Sequence, residues 1–121
     1  MQVEIQARGL KLTEGLRTHA ERRVRFAFAS TSDRVRTVVV RLADENGPRG
    51  GVDKRCTIRA NVPGAQPTVI EHQETDLYVA IDRAADRAGR AVSRLLAKTS
   101  GRRRDVTARG SAGADPDSSF P

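Results

Sequence analysis

Polar and apolar residues alternate from the start of the chain. In VEIQARG (3–9), Val3, Ile5 and Ala7 fall on one side and Glu4, Gln6 and Arg8 on the other, the pattern of a half-buried strand. The period then lengthens. Thr13 offers an N-cap, Glu14 sits in the first turn, and a helix is expected to about Ala29. Its inner face is Leu16, Ala20, Val24 and Ala27, with Phe28 at the flank. Arg22 and Arg25 point outward, and Arg17 and Arg23 lie near the boundary. The β-branched run RVRTVVVRLAD (34–44) reads as a central strand. NGPRGG (46–51) cannot continue it and makes a turn or an extended loop tip. In KRCTIRANV (54–62), Cys56, Ile58 and Ala60 face one way and Arg55, Thr57, Arg59 and Asn61 the other. PGAQP (63–67) turns the chain into a fourth, shorter strand, TVIEHQ (68–73).

DLYVAIDRAADRAGRAVSRLLAK (76–98) predicts a second helix, capped by Thr75 or Asp76. At about 100° per residue, Leu77, Ile81, Ala84, Ala85, Ala88, Val92 and Leu95 form one apolar arc. Arg83, Arg87, Arg90, Arg94 and Lys98 form a narrower arc roughly opposite, with Asp82 and Asp86 along one edge between the two. From Thr99 onward almost no apolar residue remains. Such a segment cannot bury enough surface to offset ordering entropy, so 99–121 is expected to be a disordered polar tail behind a single domain, 1–98.

The resulting order is β-α-β-β-β-α. The first helix is a crossover, which makes strands 1 and 2 parallel neighbours, while the turn-linked strands 2, 3 and 4 run antiparallel. Each helix has one apolar stripe, so both are expected on one face of a four-stranded mixed sheet. That is a two-layer α+β sandwich.

Charge changes the picture more than composition does. The 121 residues carry 22 Lys plus Arg against 15 Asp plus Glu, a formal net charge of +7. All the cations but Lys11, Lys54 and Lys98 are arginine, whose planar donor fork matches phosphate oxygens. Isolated i,i+4 pairs such as Asp86–Arg90 account for one or two of the helix arginines, not for five cations in register. A polyanionic partner is expected.

The candidate chemistry is otherwise sparse. Cys56 is the only cysteine, so no internal disulfide forms and a reducing cytosol fits; its alternating strand makes it a packing residue. His19 and His72 each lack a second ligand at metal spacing. NGPRGG lacks the Lys-Ser/Thr pair of a phosphate-binding P-loop and leads into a strand. No clustered set of titratable groups suggests an enzyme. No cofactor, metal or small-molecule substrate is expected, nor a membrane span or signal peptide, and a monomer is the expected state. Tyr78 sits beside the apolar arc and is expected to anchor the helix to the sheet. With three phenylalanines, one tyrosine and no tryptophan, binding through phosphates and shape is favoured over base stacking.

The two ends of the domain carry a family likeness. MQVEIQARGLKLTEGLR and DLYVAIDRAADRAGRAVSRLLAK resemble the HPF/RaiA family of bacterial ribosome hibernation factors, in a short and divergent form. Thr13, Glu14, Leu16 and Arg17 match the family's helix start, with Gly15 in place of alanine. Asp76, Tyr78, Ala80, Ile81 and Asp82 match the motif that opens its basic helix, with Leu77 and Val79 as mild changes. The resemblance implies the same β-α-β-β-β-α fold, similar to double-stranded RNA-binding domains. It implies binding to the small ribosomal subunit, through ribosomal RNA and proteins, near the mRNA and tRNA channel, with translation blocked under stress or in stationary phase. Arg87, Arg90, Arg94 and Lys98 align with RNA-touching cations of the family, and Arg23 with a basic position of its first helix. With the rest of the outward cations, the residues expected to touch RNA are Arg22, Arg23, Arg25, Arg83, Arg87, Arg90, Arg94 and Lys98.

The segment ADENGPRGGVDKRC (43–56) departs from the usual middle of the short members, and its Arg49, Lys54 and Arg55 are a candidate loop contact. The tail is too short and too polar for the extra domain of the long members. Two other functions fit the charge: a general double-stranded RNA binder, and a protein-interaction module that modulates transcription through its basic helix.

Overall fold

A computed structural model describes residues 1–44 and 53–105, with side chains through Lys98. The elements are β1 (Gln2–Arg8), α1 (Glu14–Ala27), a single 3-10 turn (Ser32–Arg34), β2 (Thr37–Asp44), β3 (Lys54–Asn61), β4 (Thr68–Glu74) and α2 (Leu77–Asp105). The expected order β-α-β-β-β-α is present. The sheet runs β1-β2-β3-β4, with β1 parallel to β2 and the other neighbours antiparallel. Both helices lie on one face, α1 beside β1, α2 over β3 and β4, and each against the other.

Register turns the alternation of each strand into rows across the sheet. Ile5, Val40, Ile58 and Ile70 form one inward row, and Ala7, Leu42, Cys56 and His72 the next. Val38, Val40, Leu42, Cys56, Ile58 and Ala60 are fully buried against Leu16, Ala20, Val24 and Phe28 of α1 and its C-cap, and Ile81, Ala85, Ala88 and Val92 of α2. Burying a side chain the size of Leu42 or Ile58 contributes about 1.5–3 kcal/mol. Small residues on α2 (Ala80, Ala84, Ala85, Ala88) let that helix sit close to the sheet and to α1.

The caps follow the sequence. Thr13 Oγ1 accepts from the Leu16 amide at 3.2 Å, and Asp76 Oδ1 accepts from the Tyr78 amide at 2.8 Å. Three boundaries and faces differ. The helix α1 ends at Ala27, not Ala29, with Phe28 as its C-cap. Leu96 rather than Leu95 completes the core at the end of α2, and Leu95 is only partly buried. The helix α2 also runs on to Asp105, beyond the expected end at Lys98. Arginine, at 102–104, is a good helix former. The remainder of the expected tail, 106–121, lies outside the described residues.

Candidate nucleic-acid interface

The cations of α2 do not project straight away from the sheet. They overhang its β4 edge. Arg87, Arg90, Arg94 and Lys98 line a groove of about 390 Å³ whose floor is Ile70 of β4 with Ala91 and Leu95 of α2. Leu95 is therefore a floor residue of the cationic groove. Arg87 is anchored at the near wall. Its Nη1 donates to the Glu71 carbonyl at 3.1 Å and lies 3.3 Å from His72 Nδ1, while His72 Nε2 donates to Glu74 Oε2 at 2.8 Å. Both contacts fit a neutral ring protonated at Nε2. They hold the Arg87 guanidinium along an edge strand that otherwise offers open carbonyls. Arg83 lies in the same outward arc and is exposed.

The other flank of α2 faces α1. Asp82 accepts from His19 Nε2 at 2.7 Å and forms an ion pair with Arg23, whose Nε lies 3.1 Å away. Asp86 lies between Arg23 Nη2 at 3.7 Å and Arg90 Nη2 at 3.5 Å. The two aspartates, placed from sequence along an edge between the apolar and basic arcs, link the helices and fix where Arg23 and Arg90 stand. Tyr78 also belongs to this seam. Its ring meets His19 edge to face, with centroids 4.9 Å apart, so it braces α2 against α1 and not against the sheet as expected. Gly15 makes room for it: a Cβ at that position would stand 3.2 Å from the Tyr78 hydroxyl.

The cations of α1 are less convergent. Arg22 and Arg25 are exposed, and Arg25 pairs with Glu21 one turn earlier at 3.2 Å. Between them and Arg23 stands a residue that sequence patterning does not single out. Phe26 is 71% exposed, with the Arg23 guanidinium 5.6 Å from its ring centroid. Its position well off the arc of Leu16, Ala20 and Val24 is the signal that could have found it. An exposed ring among three arginines can stack on an unpaired base.

The candidate loop contact divides. Arg49 lies outside the described residues. Lys54 is held between Asp53 Oδ1 at 3.2 Å and Asp44 Oδ1 at 3.4 Å, and Asp53 itself is buried. Partial burial works against the Lys54 charge, but the hydrogen bonds and field of the two aspartates outweigh it and hold its pKa above the usual lysine value. Arg55 Nε pairs with Glu71 across the strands at 3.1 Å. Lys54 is thus an internal counter-charge at the end of the sheet, and Arg55 belongs to the sheet surface. Burial pushes the Cys56 thiol up to about 12, which makes it a packing residue. Among the described residues no group of three or more His, Cys, Asp or Glu is placed to hold a metal ion, and no helix is long and apolar enough to cross a membrane.

A two-layer α+β domain with its core on one sheet face and a cationic groove beside its last helix defines a class of small, basic modules. Residues 3–100 match the family described as sigma 54 modulation protein / S30EA ribosomal protein, and the chain belongs to that family. This is the family of the HPF/RaiA likeness. Two solved structures share the fold. A ribosomal subunit interface protein from Coxiella burnetii is 14% identical with a TM-score of 0.69, over 80% of this chain and 99% of that one. The N-terminal domain of Protein Y from Thermus thermophilus is 26% identical with a TM-score of 0.64, over 78% of this chain and 99% of that one. A search of curated proteins finds no match.

Proposed function

We propose that this protein is a ribosome hibernation factor that binds the small ribosomal subunit, sets the groove cations on ribosomal RNA phosphates, and thereby occupies the mRNA and tRNA channel. The observation that carries the reading is the convergence of Arg87, Arg90, Arg94 and Lys98 on one groove, in a chain of net charge +7. Arginine forks and a lysine on one wall can bind successive phosphates, and the release of condensed counterions drives such binding. Family membership and the neighbour described as a ribosomal subunit interface protein support the ribosome as the partner. The work is done by binding, and it takes place where ribosomes are, in the cytoplasm.

The test is mutual exclusion. Purified small subunits carrying labelled tRNA and a short mRNA are titrated with the protein, and released tRNA is measured. Release that follows protein occupancy is the expected result. Stable co-occupancy of protein, tRNA and mRNA would remove channel blocking from the reading. Equal affinity for small subunits and for an arbitrary A-form duplex at matched salt would favour the general double-stranded RNA binder.

A further inference from the structure

The face of the sheet that carries no helix is also cationic, and three of its four arginines gather at one end. The outward positions of the four strands place four arginines, Arg8, Arg41, Arg55 and Arg59, against two glutamates, Glu4 and Glu71. The register sets Arg8 and Arg55 on either side of Ala43, with Arg41 two residues away along β2. Neighbouring strands are about 4.8 Å apart and alternate residues on one face are about 6.7 Å apart, so these three side chains spring from points about 8–10 Å from one another. Ala43 is too small to fill the space between them. The result is a concavity of about 520 Å³ lined by Arg8, Arg41, Ala43, Arg55 and Thr57. Gly9 keeps its rim open: with φ at 74° it turns the chain away directly after Arg8, and a Cβ there would stand 3.1 Å from the Asp44 carbonyl.

The local partners orient these arginines more than they neutralise them. Arg41 Nε donates to the neutral Gln6 side chain at 3.2 Å. Glu4 is turned to Gln6, whose Nε2 donates to it at 2.9 Å. Glu71 meets Arg55, and the Asp44 carboxylate at the rim is matched by Lys54. Positive charge therefore remains in excess on a surface opposite the groove of α2. The sheet separates the two surfaces: the concavity lies over β1, β2 and β3 on one face, and the groove runs along β4 and α2 on the other.

We infer that the helix-free sheet face is a second RNA-binding surface, in which Arg8, Arg41 and Arg59, with Arg55, grip the phosphodiester backbone of an RNA segment different from the one held by α2. The inference rests on the proposed ribosomal function, since a protein lodged in a channel walled by RNA meets phosphates on both sides. The face suits a backbone more than an apolar partner. Apart from Val39, Ala43 and Val69 its outward positions are polar or charged, it carries no aromatic residue, and forked donors at this spacing reach separate phosphate oxygens.

Hydroxyl-radical footprinting of ribosomal RNA in purified small subunits tests this, with each protein at saturation. Wild type is compared with a sheet variant (Arg8→Gln, Arg41→Gln, Arg59→Gln) and a groove variant (Arg87→Gln, Arg90→Gln, Arg94→Gln). The expected result is that the wild-type protections divide into two sets, one missing with each variant. The sheet variant should also flatten the slope of log affinity against log salt by roughly one to three units, taking duplex DNA as the guide. Unchanged protections with the sheet variant overturn the inference, and lower affinity with those protections intact would point to an acidic protein instead. Loss of protections with the sheet variant alone would uphold the second surface and sink the groove. No change with either variant would sink both. If the triple sheet variant melts early, Arg8→Gln alone at the exposed strand end is read by the same criterion.

Discussion

Gly89 of α2 lies directly against Ala27 of α1: a methyl group on Gly89 would stand 2.6 Å from the Ala27 carbonyl oxygen and 3.1 Å from the Ala27 Cβ. Glycine in mid-helix is otherwise unfavourable by about 1 kcal/mol relative to alanine. At this position it permits the close crossing that lets Asp82 and Asp86 reach Arg23, and so sets the distance between the two basic helices.

Gly89→Ala should therefore destabilise the domain despite its better helix propensity. Overpacking typically costs about 1–3 kcal/mol. After the propensity gain, a net loss of up to about 2 kcal/mol remains, each kcal/mol being worth several degrees in Tm for a domain of about 100 residues. Thermal unfolding followed by circular dichroism measures it. A rise in Tm would show that the helices separate freely and that the close crossing contributes nothing.

Stability should also fall at alkaline pH through Cys56. Its thiol titrates near 9.0 when unperturbed and is pushed up to about 12 by burial in the fold. Between those values the unfolded chain has lost the proton and the folded chain keeps it. The unfolding free energy contributed by this group is thus intact below pH 9 and declines above it, by up to about 1.4 kcal/mol per pH unit. Urea unfolding of wild type beside Cys56→Ala at several pH values isolates the effect, because only the difference in pH dependence is read and not the cavity left by the substitution. Parallel curves for the two proteins would mean that the thiol ionises as easily in the fold as outside it.

Strand alternation made most of this fold readable, because a residue on a pleated strand has only two faces to choose from. The inward rows through Ile5, Val40 and Ile58 follow from that rule and from the turn lengths. The helices were less legible. A wheel gives the direction of a side chain but not which neighbour covers it. Leu95 and Leu96 are both apolar, and only the crossing of α2 over β3 and β4 decides that Leu96 enters the core while Leu95 floors the groove. The cations of the groove were visible as a stripe, yet their tie to the β4 edge through Glu71 and His72 depends on a contact distant in sequence. The roles of Tyr78, Asp82 and Gly89 were hidden for the same reason: each is explained by α1, 50 or more residues earlier.

Phe26 supplies a prediction separate from charge. At 71% exposure it contributes little to the core, so Phe26→Ala should change stability by no more than about 0.5 kcal/mol. If the ring stacks on an unpaired base of ribosomal RNA, affinity for small subunits should fall by about 1–3 kcal/mol, with the salt slope unaltered. Phe26→Tyr should restore binding. Equal affinity for Phe26→Ala and wild type would leave Phe26 as an exposed ring partnered only by Arg23.

The groove makes the opposite prediction about salt. Replacing Arg87, Arg90 and Arg94 with Gln keeps helix propensity similar and removes three positive charges from one wall. Stability should move by no more than about 1 kcal/mol each at Arg87 and Arg90, since the Arg90–Asp86 pair and the Arg87 contacts to β4 are solvent-exposed. Ile81→Ala, by contrast, empties a fully buried position and should cost about 2–5 kcal/mol. Binding should order the two variants the other way. An arginine that no longer meets its phosphate releases no counterion, so the slope of log affinity against log salt should become shallower by roughly two to three units in the triple variant, taking duplex DNA as the guide. Ile81→Ala, measured at a temperature where it remains folded, should keep the wild-type slope. The measurement is a salt titration of binding to purified small subunits. Identical affinity and slope for wild type and the triple variant would make the four cations beside Ile70 and Leu95 an ordinary solvated face and leave ribosome binding to other parts of the surface.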